Sequence, residues 1–270
     1  MHSIIDYYNK FDEWGRLDRE PIEFMINMHH IRAHLPPSGR ILDNGAGPGK
    51  YSIELAKQGY QMTLSDLTPR LVEMAQQKVI EFQLQDHFNG FHVMDACDLS
   101  SLSDEQFDAT IMLGPMYHLQ SKENRKQAIQ ELYRVTKSGG VVFVAFMSRT
   151  KFLQTSLHHP QFWKPNHTSQ GITTFLETGV FNHSDEGRFT EAYYYPIDQI
   201  TPLMESQGFQ TVKLIGSSSV ATNMSKEQWD YWKERGEEEF NAIMNIVLEH
   251  SDNPYILGSS SHIMYIGRKQ

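Results

Sequence analysis

Between residues 40 and 146, short runs of β-branched and other apolar residues alternate with longer stretches whose apolar positions recur every three or four residues. Runs of the first kind suit buried strands and stretches of the second suit amphipathic helices, so the alternation predicts βαβ units around a mostly parallel sheet. Strands are expected at 40–43, 61–66, 91–95, 108–113 and 141–146. Thr68 can cap a helix that starts at Pro69, where the missing N–H costs nothing, and Leu71, Met74, Ala75 and Val79 then share one face. Ser121 opens another helix, with Ala128, Ile129, Leu132, Tyr133 and Val135 at helical spacing, and Gly139-Gly140 is expected to end it.

The flanks read differently. Residues 7–35 are helical in pattern and apolar on one side, with Pro36-Pro37 closing the segment, so residues 1–36 are expected to form a helical lid ahead of a main domain at 37–270. From 148 to 190 the chain is polar, aromatic and irregular, the signature of a lid or substrate-binding insertion. A helix at 198–207, stopped by Gly208, and strands at 211–215 and 263–266 complete the core pattern. Between those strands Ser225 and Gln228 fit a capping box, and helical pattern continues to about His250. This second insertion, about 217–258, would cover a pocket or form a dimer contact, so a monomer or a homodimer is expected.

Composition narrows the partners. The formal charge of −9 opposes a phosphate backbone and argues against nucleic acid. A single cysteine, Cys97, gives no intrachain disulfide and fits a reducing compartment, with packing as its expected role. No basic stretch leads into an apolar run at the start, and no stretch has the length of a membrane span, so a cytoplasmic protein is expected.

The chemistry centres on the turn after the first strand. Ile41-Leu42-Asp43 runs into Asn44-Gly45-Ala46-Gly47-Pro48-Gly49 and then a helix near Lys50. Glycines let the backbone turn sharply and approach a ligand, and the helix start supplies unpaired N–H groups. Asp66 is expected to end the next strand, 17 residues after Gly49, where a carboxylate can accept both hydroxyls of an adenosine ribose; capping the following helix is its other reading. Asp95 is expected to end the third strand beside Ala96, with Asp98 as a competing turn residue. A dinucleotide fingerprint fails because Lys50 stands where its third glycine belongs, and a P-loop fails at Asn44 and Tyr51.

The stretch 41–49, with Asp66, Asp95-Ala96 and Arg134-Val135-Thr136-Lys137-Ser138-Gly139-Gly140, resembles the class I S-adenosylmethionine (SAM)-dependent methyltransferases over roughly residues 35–147. Gly114-Pro115-Met116-Tyr117-His118-Leu119 resembles a widespread bacterial group within that superfamily, with similarity reaching 7–35 and 189–209. The resemblance implies a doubly wound, Rossmann-like seven-stranded sheet with an antiparallel last strand. It also implies SAM as cofactor and S-adenosylhomocysteine (SAH) as product. Carried over residue by residue, Asp43 and the loop from Asn44 through Gly45, Ala46, Gly47 and Gly49 would meet the methionine part. Asp66, with Leu67 beside it, would hold the ribose, Asp95 and the Ala96 backbone would meet the adenine, and Leu113 and Gly114 would line the methyl-donor pocket. Acidic walls suit a ligand that carries a sulfonium and an ammonium.

Methyl transfer is an in-line displacement that needs an acceptor about 3 Å from the methyl carbon. His118, just beyond the fourth strand, is the candidate base, with helix capping or packing as its alternative role. Tyr117 could face the sulfonium or fill space. DNA amino-methyltransferases carry [Asp/Asn/Ser]-Pro-Pro-[Tyr/Phe] where this chain has Gly114-Pro115-Met116-Tyr117, which together with the charge points to a small-molecule acceptor. Tyr8, Trp14, Arg19, Arg149, Tyr193 and Tyr194 are softer candidates for the acceptor site, the arginines for an acceptor with a carboxylate. His30 and His34 lie one turn apart, but with no third ligand nearby no metal site is expected. The alternatives are a protein or RNA acceptor, SAM binding without catalysis, and a nicotinamide-dependent oxidoreductase.

Overall fold

The run Val141-Val142-Phe143-Val144-Ala145-Phe146 is buried along its whole length, as a strand covered on both faces must be. In the computed structural model, residues 2–19, 21–185 and 187–270 are described, the side chains at 2, 3 and 17–19 excepted. The chain begins with α1 (His2–Lys10), α2 (Glu13–Arg19) and α3 (Pro21–His34). The core follows as β1 (Arg40–Asn44), α4 (Lys50–Ala56), β2 (Gln61–Asp66), α5 (Pro69–Glu81), β3 (Phe88–Val93), β4 (Phe107–Met112), α6 (Lys122–Val135) and β5 (Thr136–Ser148). Then come α7 (Arg149–His158), α8 (Ser169–Thr178), β6 (Val180–Phe181), β7 (Ala192–Tyr195), α9 (Ile200–Glu205), β8 (Phe209–Gly216), α10 (Lys226–Glu234), α11 (Glu237–Glu249) and β9 (His262–Lys269).

Seven strands form the central sheet in the order β3-β2-β1-β4-β5-β9-β8, with β9 antiparallel to both of its neighbours. This is the expected doubly wound sheet with its antiparallel last strand. Alternate residues of each strand serve opposite faces, as the pleat requires. Val141, Phe143, Met264 and Ile266 pack with α3, α4 and α11, whereas Val142, Val144, Ile263 and Tyr265 pack with α6 and α9. The remaining pair, β6 and β7, forms a hairpin, and β7 runs parallel to the last two residues of β5, beyond the end of β4.

Several sequence expectations are corrected. The segment expected to be helical over 7–35 is so, divided into three helices with Pro21 at the start of the third; a proline has no N–H to offer a helix interior. The third strand ends at Val93 rather than at Asp95, which lies on the turn beyond it. Helix α6 stops at Val135, four residues before Gly139, and the glycine pair sits in the irregular start of β5, where Lys137 reaches Asp108 at 2.6 Å. Residues 148–190 are not irregular: α7 and α8 clasp an aromatic core of Phe152, Phe175, Phe181 and Tyr194, the Phe152 and Tyr194 rings stacked with centroids 4.2 Å apart. The capping box expected at Ser225 and Gln228 is formed. Cys97 is buried, its Sγ donates to the Asn124 carbonyl at 3.3 Å, and burial pushes its thiol up to about 12, so the expected packing role fits.

Candidate active site

The C-terminal ends of β1, β2 and β4 lie on one edge of the sheet because the three strands are parallel and in register, Asn44 opposite Ser65 and Asp43 opposite Ile111. A cavity of about 400 Å³ opens at that edge, a size suited to a nucleoside cofactor and a small partner. Asp43, Asp66 and Asp95 all line it.

The loop after β1 is built by close approach. Gly45 has φ +74°, and a Cβ there would lie 2.3 Å from Pro115 Cγ, so no other residue fits without moving the turn that carries Tyr117 and His118. The Gly45 and Ala46 amides both donate to the Ser65 carbonyl, at 2.8 and 3.0 Å, which ties the loop to β2. Asn44 lines the cavity, but its side chain is spent beneath it, accepting from Ser65 Oγ at 3.0 Å. Gly49 does not line the cavity. At φ +82° it caps α4, and its Cβ position lies 2.8 Å from Leu64 Cδ1, so it is a packing glycine.

Asp66 is tied to the backbone on both sides of the cavity floor. Oδ2 accepts from the Gly47 amide and Oδ1 from the Thr68 amide, each at 2.8 Å, so the carboxylate fixes the loop and the turn leading into α5 while still lining the cavity. Each oxygen keeps a second lone pair, the capacity a ribose diol needs. Asp95 is held similarly, accepting from the Cys97 amide at 2.9 Å. Leu67, Ala96, Leu113 and Gly114 line the same space.

Asp43 is buried, and that burial pushes its carboxyl up to about 7, helped by the charge of Asp66 and opposed by Ser52 Oγ, which donates to it at 2.7 Å. With the folded-state pKa above the unfolded value near 3.9, its contribution to stability is full below pH 4 and is lost as pH rises through about 7. An ammonium brought alongside reverses the preference by favouring the carboxylate. Affinity for SAH is therefore expected to rise about tenfold between pH 6 and pH 8, with proton release on binding below pH 7. Calorimetry in buffers of different ionisation enthalpy measures both, and Asp43→Asn should flatten the profile.

The N-terminal helices, rather than the insertions, complete the walls. Ile4 and Tyr8 of α1 and Glu13 and Arg16 of α2 line the cavity; among the described residues none from 149–190 or 217–258 does. The expectation that those insertions build the acceptor pocket is corrected, except that Glu191, one residue past the first, reaches it. Arg16 bridges two carboxylates, its Nε 2.8 Å from Glu13 Oε1 and its Nη1 3.5 Å from Glu23 Oε1. Glu23 Oε2 in turn lies 2.9 Å from His262 Nδ1 on β9. Burial opposes the Glu23 charge, but His262 and Arg16 overcome it and hold the carboxyl down at about 2.

His118 and Tyr117 both line the cavity, with ring centroids 5.0 Å apart. His118 Nε2 and Tyr8 Oη are 2.9 Å apart, while Nδ1 is buried with no partner among the described residues. Burial lowers the His118 pKa to about 4, against an opposing pull from Glu191, so the ring is neutral at pH 7. Of the other acceptor candidates, Tyr8 is at the site and Trp14 is not: its ring lies under Lys50 and Lys78, Nζ atoms 5.4 and 4.9 Å from the centroid, and pins α2 to α4 and α5. Arg149 is also elsewhere, donating to the Tyr194 and Leu176 carbonyls at 3.0 Å, and Tyr193 packs 3.6 Å beneath the Arg125 guanidinium. Tyr194 is in the insertion core, and the Arg19 side chain falls outside the described residues. No cluster of three metal-ligating side chains occurs among the described residues. His30 Nε2 instead pairs with Ser251 Oγ at 2.7 Å. Glu13, Arg16, Glu23 and Glu191 were not anticipated, because acidic and basic residues in surface-like helices, or in the loop before β7, carry no local mark of convergence.

The sheet order, the glycine turn and the acidic strand ends define a class: an α/β enzyme that binds an adenosyl cofactor at the carboxyl edge of its sheet. Residues 41–140 match the family model for the methyltransferase domain. The chain is 27% identical over 202 residues to the putative methyltransferase YqeM of Bacillus subtilis, covering 67% of this chain and 77% of that one. It is 29% identical over 164 residues to the ubiquinone/menaquinone biosynthesis C-methyltransferase UbiE of Geotalea daltonii, covering 59% of this chain and 65% of that one. In fold it matches a SAM-dependent methyltransferase of Methanosarcina mazei, with a TM-score of 0.59 at 19% identity over 89% of this chain and 96% of that one. Residues 41–140 thus form a methyltransferase domain, and the chain as a whole is similar to class I SAM-dependent methyltransferases. Its cofactor is SAM, and the carboxylates converging on the cavity fit that cation. No helix among the described residues is long and apolar enough to cross a membrane.

Proposed function

We propose that the enzyme methylates a small molecule held between the N-terminal helices and the turn Pro115–Tyr117. The observation that carries this reading is that Ile4, Tyr8 and Arg16 of the N-terminal helices line the cavity opposite the cofactor loop, walling a space of a size for a nucleoside cofactor and a small acceptor. The cofactor supplies an electrophilic methyl group on a sulfonium. In this reading Asp43 and Glu13 neutralise its ammonium, Arg16 receives its carboxylate, Asp66 orients the ribose, and Asp95 with Ala96 borders the adenine. Glu13 is well placed for this, its Cγ 3.4 Å from where a Cβ on Gly47 would stand. The acidic balance of the chain and its one buried cysteine fit a cytoplasmic enzyme acting on small molecules, as monomer or homodimer.

His118 works through Tyr8 in this reading. A proton leaving the acceptor moves to Tyr8 Oη as the tyrosine's own proton moves across 2.9 Å to His118 Nε2. Two results test the reading. Tritiated methyl groups offered with a cell extract should appear in the fraction below about 1 kDa and not in protein or RNA; label in a polymer would reject the small acceptor. With that acceptor in hand, His118→Ala and Tyr8→Phe should each lower kcat about 10²-fold or more while SAH affinity stays within twofold. Full turnover in either variant removes that residue from the relay.

A further inference from the structure

Asn124 lines the cavity from the first turn of α6, and nothing in the cofactor reading gives it a task. Its main chain is already engaged: the N–H donates to Ser121 Oγ at 3.3 Å, and the carbonyl accepts from Cys97 Sγ at 3.3 Å. What it offers the cavity is its carboxamide, which has no partner among the described residues. At the same helical position in α10, Gln228 returns its side chain to the backbone N–H of its cap, Ser225; Asn124 is one methylene shorter and makes no such bond to Ser121. Two neighbouring side chains on the rim are spent, Ser121 Oγ donating to Glu123 Oε2 and Gln120 Nε2 to Asn182 Oδ1, each at 2.8 Å. The start of α6 is also fixed to the turn that carries Asp95 and Ala96, through the Cys97 thiol and through Gln127 Nε2, which donates to the Cys97 carbonyl at 2.9 Å.

We infer that Asn124 reads the N7 edge of the cofactor's adenine, its Oδ1 accepting from the 6-amino group and its Nδ2 donating to N7. This rests on the proposed placement of the adenine beside Asp95 and Ala96. The 6-amino group of adenine has two N–H bonds, one beside N1 and one beside N7. Asp95 Oδ1 is taken by the Cys97 amide, which leaves Oδ2 as an acceptor and the Ala96 N–H as a donor next to it, a pair that complements the N1 edge. A carboxamide presents the same pair to the N7 edge, in the geometry by which asparagine recognises adenine in DNA. A base with a carbonyl at C6 would lose the donors that both pairs need, so the nucleoside is recognised from two sides. The two sides are held in one unit, because the Cys97 bonds join the turn that supplies the first pair to the helix that supplies the second.

The test uses the whole chain with SAH and 7-deaza-SAH, in which a C–H replaces N7 and the 6-amino group is kept. By calorimetry the unsubstituted chain should bind SAH about fivefold more tightly than 7-deaza-SAH, the share of one hydrogen bond. Asn124→Asp keeps the acceptor, removes the donor and suits the first turn of a helix, so it should fold and bind the two ligands equally. Asn124→Ala should also bind them equally, with SAH weakened about tenfold. Equal affinities in the unsubstituted chain, or an undiminished preference for SAH in Asn124→Asp, overturns the inference. Asp95→Ala, which keeps Asn124, should weaken both ligands about tenfold. Native SAH affinity in Asp95→Ala would instead overturn the placement of the adenine, and the inference with it.

Discussion

Asp66→Ala should lower affinity for SAH at least about a hundredfold, because in the proposed reading the carboxylate serves the ligand as well as the loop beside it. Hydrogen bonds to a charged group contribute about 1.5–3 kcal/mol each, so losing two ribose contacts alone reaches about 3 kcal/mol. The Gly47 and Thr68 amides, each now 2.8 Å from a carboxylate oxygen, lose their acceptor as well. The loop should loosen and the apo protein unfold more readily in urea. Asp66→Asn keeps one acceptor oxygen and should fall between the two. Calorimetry with SAH reads the effect directly, and native affinity in Asp66→Ala would remove the acidic tip of β2 from the cofactor site.

Arg16→Met should be the most destabilising change in the N-terminal helices. Methionine approximates the aliphatic length but removes the charge between Glu13 and Glu23, whose side chains are only 15% and 16% exposed. Breaking a buried pair from one side costs about 3 kcal/mol or more, which in a chain of this size is a Tm lower by about 6–12 °C. The pH dependence has a definite sign. Glu23 is held at about 2, below its unfolded value near 4.3, so its contribution is present above pH 4.3 and is lost as pH falls through about 2. Without Arg16 that acid limb should move to higher pH. An unchanged Tm and an unchanged acid limb would show that the three charges contribute nothing together.

These two sites also mark what the sequence could and could not disclose. Asp66 was legible because its meaning is local: a strand, a carboxylate at its end and a Thr-Pro helix start follow one another within four residues. The same holds for the glycine turn and for the capping box at Ser225, where each rule spans a few positions. Asp95 was found even though the strand before it ended two residues early, since the turn still brings its carboxylate to the edge. The Arg16–Glu23–His262 chain joins residues up to 239 positions apart, and nothing near His262 in sequence foretells a carboxylate partner. Arg149 misled for a related reason. A guanidinium in a polar stretch looks available for a substrate, but here its donors are consumed by the carbonyls of Leu176 and Tyr194, which become neighbours only once α7 and α8 have packed. Tyr8 was named without its partner, because the hydrogen bond to His118 spans 110 positions and depends on how α1 lies across the sheet edge.

The placement of β9 has a consequence for synthesis. Strand β9 is inserted between two made earlier, β5 and β8, and it carries His262, the partner of Glu23 on α3. A nascent chain still tethered at residue 250 has translated every described wall of its cavity, yet both of those strands have bare edges and Glu23 on α3 lacks its His262 partner. The catalytic compartment should therefore close only after the ribosome exit tunnel has released residues 262–269, in a single late event. Stalled chains of increasing length should remain protease-sensitive until that point and become resistant abruptly thereafter.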